Sequence, residues 1–394
     1  MDVPESGGPG RDSGGFDWLN SGKRFLWLSE RDGWRHAYAI SRDGGEPVPI
    51  TSETADVIGI QAIDPDSRWI YFMAAPGNAT QRYLYRSAVD HPGPAVRLSP
   101  MEQSGTHSYR ISPNCQWAFH TYSRFDRPPV TDLISLPDHK SVRTLEDNGV
   151  LRANVASSLE PPVEFLQVSL ADGATLDGWL LKPRVFDPSK KYPLLVHVYG
   201  EPAGVTVLDA WMGDGTLFHR ALADDGYLIA SFDNRGTPAP KGRAWRKAVY
   251  GAVGVLSAQE QTEAVLALAR ERPYVDVTRV GVWGWSGGGS NTLNLMFRSP
   301  DLFRVGVSVA PVPDQKLYDT IRGKLLIVHG SGDDNVHFQG TQKLVNRLIE
   351  LGKPFEFMEY PNRTHSISEG SGTTLHVYSP IARYVEEHLP AGAR

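Results

Sequence analysis

The chain has 394 residues, 40% hydrophobic and 22% charged, a globular balance with room for two or three domains. A formal net charge of −5 over that length gives no electrostatic reason to expect nucleic-acid or anionic-membrane binding. Cys115 is the single cysteine, so no internal disulfide can form, and no apolar run approaches the ~18 residues of a membrane span.

Residues 1–22 are predicted to be a flexible lead-in; Met1 to Gly15 is rich in Gly, Pro, Ser and Asp and has no apolar core of a signal peptide. On these grounds the chain is expected in the cytoplasm by default, or in the periplasm or outside if an N-terminal portion precedes it. Residues 23–155 show strand periodicity and turn punctuation without a helical pattern. Asn20-Ser21-Gly22 leads into Arg24–Ser29, Asp64-Pro65-Asp66 into Arg68–Met73, and Ser112-Pro113-Asn114 into Gln116–Thr121. Trp27, Trp69 and Trp117 stand 42 and 48 residues apart, a spacing that suits one four-stranded propeller blade each. About three blades are expected, fewer than the ~4–8 of a closed ring. A β-sandwich of hairpins is the alternative.

Residues 156–394 have a different rhythm. Ala156–Pro162 reads as a linker, and Phe165–Val168 and Leu176–Leu181 as alternating strands. Apolar strands are predicted at Leu194–Tyr199, Tyr227–Phe232, Val280–Trp285, Val305–Val309, Leu325–Val328 and Phe355–Glu359. Helices are predicted at Ser257–Arg270, with Ser257 and Glu260 in capping-box spacing, at Gly340–Leu351 and at Tyr378–His388. This alternation implies a doubly wound, mostly parallel sheet with helices on both faces.

Val280–Trp285 runs directly into Ser286-Gly287-Gly288-Gly289, a G-x-S-x-G elbow of the α/β-hydrolase type. Asp333 or Asp334 follows the strand Leu325–Val328, and His365 follows Phe355–Glu359. Ser, Asp and His, in that order and at carboxyl ends of strands, suit a nucleophile, a carboxylate that orients the imidazole, and a base. The Gly287 N–H and the Tyr199 phenol are candidate oxyanion donors. No metal-ligand spacing, P-loop or dinucleotide fingerprint occurs, so no metal or cofactor is expected.

Gly284-Trp285-Ser286-Gly287-Gly288-Gly289, Val309-Ala310-Pro311-Val312, His329 to Phe338 and Asp233-Asn234-Arg235-Gly236-Thr237 resemble the prolyl oligopeptidase family of serine peptidases, more narrowly its dipeptidyl peptidase IV branch. The resemblance runs from about Lys23 to about Leu389. It implies a partial β-propeller preceding an α/β-hydrolase domain, with Ser286 as nucleophile, Asp333 as the triad acid, His365 as base and Tyr199 as oxyanion donor. It further implies that Val312, Tyr318 and Val336 line a pocket for a small residue, usually proline, and that Asn335 meets a substrate carbonyl nearby. The implied substrates are peptides, cut through an acyl-enzyme to release Xaa-Pro or Xaa-Ala dipeptides, and a homodimer is implied by resemblance alone.

Three departures from the family pattern stand out. No counterpart occurs of the acidic pair that grips the substrate's α-ammonium. The connection from Val312 to Lys324 is thirteen residues, near the minimum for a parallel crossover. Gly287 stands where the family often has an aromatic, which is expected to widen the site. An esterase or acyl-peptide hydrolase with the same triad, or a non-catalytic binding relative, are the alternatives that these departures raise.

Overall fold

The computed structural model describes residues 17–91, 93–313 and 318–394. Its contacts divide the chain into two compact units. The first runs up to Ala156 and takes in Leu208–Gly213 and Ala239–Arg246; the second comprises Ser157–Val207, Asp214–Pro238 and Lys247–Arg394.

The first unit is built from three four-stranded antiparallel sheets among the described residues. One holds β1 (Asp17–Leu19), β2 (Arg24–Ser29), β3 (His36–Ser41) and β4 (Val48–Pro49). The next holds β5 (Val57–Ile63), β6 (Trp69–Ala74), β7 (Tyr83–Ala88) and β8 (Val96–Arg97). The last holds β9 (Thr106–Ile111), β10 (Trp117–Arg124), β11 (Arg127–Ser135) and β12 (Ser141–Glu146). Each is an up-and-down meander whose inward face packs on the next sheet. Leu26, Ala39, Ile70 and Phe72 share one buried cluster, and Tyr71, Leu84, Tyr109 and Ile134 another. Those shared cores are the packing of consecutive propeller blades, not of a two-sheet sandwich.

In the third blade, buried His107 and His120 stack and meet through their ring nitrogens at 2.8 Å. His107 Nε2 donates to the Gln103 carbonyl, so its Nδ1 accepts from His120. The Tyr109 hydroxyl joins His139 to Ser99 alongside. Burial holds the His107 pKa down at about 4 and that of His120 at about 3, the neighbouring imidazoles adding to the effect. Beside the second blade, Arg246 clamps the buried Asp56 at 2.5 Å and also bonds Glu30, while the Gly242 amide donates to the same Asp56 carboxylate at 2.8 Å.

In chain order, α1 (Gly149–Val155) and a 3-10 turn over Ala156–Leu159 follow β12, so only the end of the predicted linker is without helical structure. The second unit contains β13 (Glu164–Ser169), β14 (Thr175–Leu181), β15 (Tyr192–His197), α2 (Asp214–Asp224) and β16 (Leu228–Asp233). After α3 (Gly242–Lys247) come α4 (Leu256–Glu271), β17 (Val275–Trp285), α5 (Gly287–Arg298) and β18 (Phe303–Val309). The chain ends with β19 (Lys324–Gly330), α6 (Phe338–Glu350), β20 (Glu356–Tyr360) and α7 (Thr373–His388). The sheet order is β13-β14-β16-β15-β17-β18-β19-β20. β13, β14 and β16 pair antiparallel; every other neighbouring pair is parallel. This is the mostly parallel hydrolase sheet, its central strands apolar because helices cover both faces. No helix among the described residues is long and apolar enough to cross a membrane.

The capping box at the start of α4 does not form. Ser257 Oγ donates instead to Asn291 Oδ1, and the Glu260 carboxylate accepts from Arg235. Both side chains are buried, and tertiary partners outcompete the local cap.

The closest approach in the sheet is at the turn from β17 into α5. A methyl group on Gly288 would lie 2.1 Å from the Val198 carbonyl oxygen, and one on Gly284 2.4 Å from the same atom. The obstacle is backbone and cannot swing away. Gly288→Ala is expected to cost about 3 kcal/mol, read by urea unfolding; an unchanged midpoint would contradict the close approach. The His107–His120 pair carries a second expectation. Both folded pKa values lie below the unfolded 6.5, so the unfolded chain binds more protons between about pH 3 and 6.5 and stability rises with pH through that window. Unfolding measured from pH 7.5 down to 4.5 should show that loss, and His120→Gln should flatten it.

Candidate active site

The elbow sets the site. Ser286 has φ 60° and ψ −121°, a conformation that a serine holds only when its surroundings enforce it. Its N–H donates to the Val309 carbonyl at 2.8 Å and its carbonyl accepts from Ser290 N at 3.0 Å, which ties the strained residue to β18 on one side and α5 on the other. Ser286 is half-buried, with access to solvent.

Asp333 lies three residues beyond β19, its side chain fully buried. Oδ1 accepts the backbone N–H groups of Asn335 and Val336 at 3.0 and 2.8 Å. Oδ2 faces His365 Nδ1 at 2.7 Å and His329 Nε2 at 3.1 Å. Burial pushes this carboxyl up, but the His365 hydrogen bond and the two amides outweigh it and hold it below the usual aspartate range. The group is therefore a carboxylate at neutral pH, and it fixes the His365 tautomer with the proton on Nδ1 and a free Nε2. Asp334, the other carboxylate left open by the sequence, is exposed. The second imidazole, His329, was missed by sequence reasoning. Buried in β19, it accepts from Thr341 Oγ1 at 2.7 Å on Nδ1, so its Nε2–H serves Asp333 and the Val336 carbonyl. Burial keeps it neutral by lowering its pKa.

His365 sits in the loop after β20, its side chain 23% exposed. The Trp285 indole N–H donates to the His365 carbonyl at 2.9 Å, joining the His365 loop to the residue before Ser286. On the other side, the Tyr199 ring lies against the residue after Ser286, its Cζ 3.1 Å from where a methyl on Gly287 would sit, and its phenol interacts with the Ser286 side chain. Burial and the Glu201 charge hold the Tyr199 phenol above its ordinary pKa, against the pull of Ser286, so it remains a donor.

A buried amide network fixes the Tyr199 turn. Asn291 Nδ2 donates to the Tyr199 carbonyl at 2.7 Å, Asn234 Nδ2 to that of Gly200 at 3.1 Å, and Gln261 Nε2 to Asn234 Oδ1 at 2.9 Å. Gly200 has φ +73°, which a side chain there would oppose. No motif announced Gln261 and Asn291, whose signal is polar residues at inward positions of α4 and α5; Asn234 lies in the Asp233–Thr237 run that carries the resemblance, where no role for its amide was read.

Ser286, Gly287, Tyr199, Asp333 and His365 thus belong to one constellation linked by hydrogen bonds and chain adjacency. The expected pocket residues are less enclosed: Val312 is 62% exposed, Asn335 is exposed and Val336 half-buried. The Tyr318 side chain lies outside the described residues. Among the described residues no group of three or more His, Cys, Asp or Glu side chains is arranged to hold a metal ion.

Comparison with known proteins agrees with this geometry. A model described as the prolyl oligopeptidase family matches residues 218–324 and 318–391, and one for the dipeptidyl peptidase IV N-terminal region matches residues 14–129. The chain is 31% identical to a probable dipeptidyl peptidase 4 of Aspergillus flavus, over 91% of this chain and 50% of that protein. It is 30% identical to a dipeptidyl peptidase 4 of Trichophyton equinum, over 85% of this chain and 47% of the relative. The chain therefore spans about half the length of these relatives. The crystal structure of Porphyromonas gingivalis dipeptidyl peptidase 4 superposes with a TM-score of 0.87 at 32% identity, covering 94% of this chain and 55% of that one. A putative dipeptidyl aminopeptidase IV from Bacteroides ovatus does so at 0.82 and 25% identity, covering 95% and 58%. Blades, hydrolase sheet and matched segments together establish that the chain belongs to the prolyl oligopeptidase family of serine peptidases, in its dipeptidyl peptidase IV branch.

Proposed function

We propose that the protein is a serine dipeptidyl peptidase that releases Xaa-Pro or Xaa-Ala dipeptides from peptide N-termini. The observation that carries the reading is the short, oriented contact from the buried Asp333 to His365 Nδ1, at 2.7 Å, beside a strained Ser286 that is half-open to solvent. The names and the closeness of the relatives supply the substrate class.

In this reading Ser286 Oγ attacks the scissile carbonyl carbon and its proton passes to His365 Nε2. Asp333 stabilises the imidazolium without taking its proton. Negative charge on the carbonyl oxygen is met by the Tyr199 hydroxyl and the Gly287 N–H. His365 then protonates the departing amine, and water, activated by the same imidazole, releases the acyl group from Ser286. The relay needs an ionised Asp333 to hold the His365 tautomer, and the depressed carboxyl of Asp333 supports that. Val312, Asn335, Val336 and Tyr318 are assigned to the pocket for the residue before the cut.

One observation favours a second reading. Val312 and Asn335 stand in solvent, so the pocket wall around them is open, as suits an esterase or acyl-peptide hydrolase with the same triad. A Gly-Pro chromogenic amide, its N-acetylated form and p-nitrophenyl acetate separate the two. Preference for the free-amine amide supports the dipeptidyl reading; preference for the acetate ester or the blocked amide supports the other.

A fluorophosphonate probe should label the protein on Ser286, and Ser286→Ala should lose both labelling and roughly 10⁴-fold or more of the hydrolysis. An unlabelled, folded wild type would remove the enzymatic reading altogether. Tyr199→Phe should lower kcat on the order of 10²–10³-fold with a small change in KM, because the phenol acts on charge that exists only in the transition state.

A further inference from the structure

The turn that carries Tyr199 also carries a carboxylate that the proposed mechanism does not use. Glu201 is half-buried in the second unit, two residues after Tyr199, and the Asn291 and Asn234 bonds to the intervening backbone fix its direction. Its carboxylate lies directly against the residue after the nucleophile. A methyl group on Gly287 would lie 2.7 Å from Glu201 Oε2, 2.9 Å from Cδ and 3.1 Å from Tyr199 Cζ. The absent side chain at 287 therefore does not widen the site as the sequence suggested. A carboxylate fills that volume.

Among the described residues neither a cation nor a hydrogen-bond donor reaches the Glu201 carboxylate. Its only perturbation is burial, which pushes the carboxyl above the usual glutamate range. Leaving an ion half-desolvated and unpaired is costly. Here it is also placed badly for the reaction on its own: an anion beside the Gly287 N–H opposes the negative charge that the oxyanion hole is there to stabilise. Both penalties vanish if the substrate brings a positive charge to this point. An ammonium or guanidinium would gain a desolvated partner and cancel the field of Glu201 at the developing oxyanion.

We propose that Glu201 is a specificity-determining residue that selects acyl groups carrying a positive charge next to the scissile carbonyl. The inference rests on the assignment of Ser286 as nucleophile. Two sources supply such a charge: a lysine or arginine side chain on the residue whose carbonyl is attacked, or the α-ammonium of a short N-terminal segment. Both present a compact cation to one carboxylate, and substrate pairs tell them apart.

The test measures kcat/KM for wild type and Glu201→Gln on two matched pairs. The first is the N-acetylated lysine p-nitrophenyl ester against its norleucine counterpart; the second is Ala-Pro p-nitroanilide with a free against an acetylated N-terminus. Wild type should favour the charged member of at least one pair, and Glu201→Gln should reduce that ratio by about tenfold or more. A fall in the lysine ratio identifies the side chain, and a fall in the N-terminal ratio the α-ammonium. Thermal unfolding and fluorophosphonate labelling of Ser286 verify that the variant is folded with its nucleophile competent. Unchanged ratios in a labelled variant overturn the role of Glu201 while the peptidase reading stands; a labelled wild type indifferent to charge in both pairs overturns that role and, through the second pair, the dipeptidyl reading, leaving a serine hydrolase. A wild type that the probe does not label removes the peptidase reading and this inference with it. If Glu201→Gln does not fold, the wild-type ratios at 20 mM and 500 mM salt decide. A charge preference that shrinks with salt supports the pairing; one that does not shrink overturns it.

Discussion

The second unit is organised around a contact between backbones: the carbonyl oxygen of Val198 against the first turn of α5. At 2.1 Å from the position of a Gly288 methyl, there is no room for any side chain between strand and helix. At this close approach, where β17 turns into α5, Ser286 takes a positive φ. Tyr199, two residues beyond β15, lies with its ring against Gly287, and its phenol interacts with the Ser286 side chain. Ser286 and Tyr199, the proposed nucleophile and oxyanion donor, thus flank a single close approach of backbone. The amides of Asn291 and Asn234 then lock the geometry by satisfying the carbonyls of the Tyr199-Gly200 turn.

The charges around this core fall into two kinds. Asp333 is buried but fully supplied: two amides and two imidazoles reach its four lone-pair directions, so its negative charge persists despite desolvation. Glu201 is partly buried and receives nothing from the described residues, so its field is available to whatever enters the site. In the first unit, His107 and His120 follow a third course and give up charge altogether, with a neutral hydrogen bond in its place. Partner supply, more than depth of burial, separates the three outcomes.

Much of this was legible in the sequence because the signals were local. The turn-plus-aromatic segments at Arg24, Arg68 and Gln116 each opened the second strand of a blade, and the run Val280–Trp285 led straight into the elbow. The positions of Ser286, Asp333 and His365 followed from strand ends and chain order. What the sequence concealed depends on residues far apart in the chain. Ser257 and Glu260 have the spacing of a helix cap, but Asn291 and Arg235, distant in sequence, claim them. His329 stood only as the first residue of the His329–Phe338 run that carries the resemblance, and it emerges as a second hydrogen-bond donor to Asp333. Gly287 looked like an opening; only coordinates show that a glutamate 86 positions earlier fills the gap.

The clamp of Arg246 on Asp56 bears on how this polypeptide can be divided. By sequence, the boundary near Ala156 invites separate expression of the two halves. Yet the cation that balances the carboxylate of Asp56, 2% exposed, comes from a helix encoded ninety residues past that boundary. A fragment ending at Ala156 would keep the acid and lose its base, along with the Gly242 amide that shares the load. The blades are therefore not an autonomous module in the genetic sense. The cation that Asp56 meets lies in a stretch that belongs, by its place in the chain, to the other half.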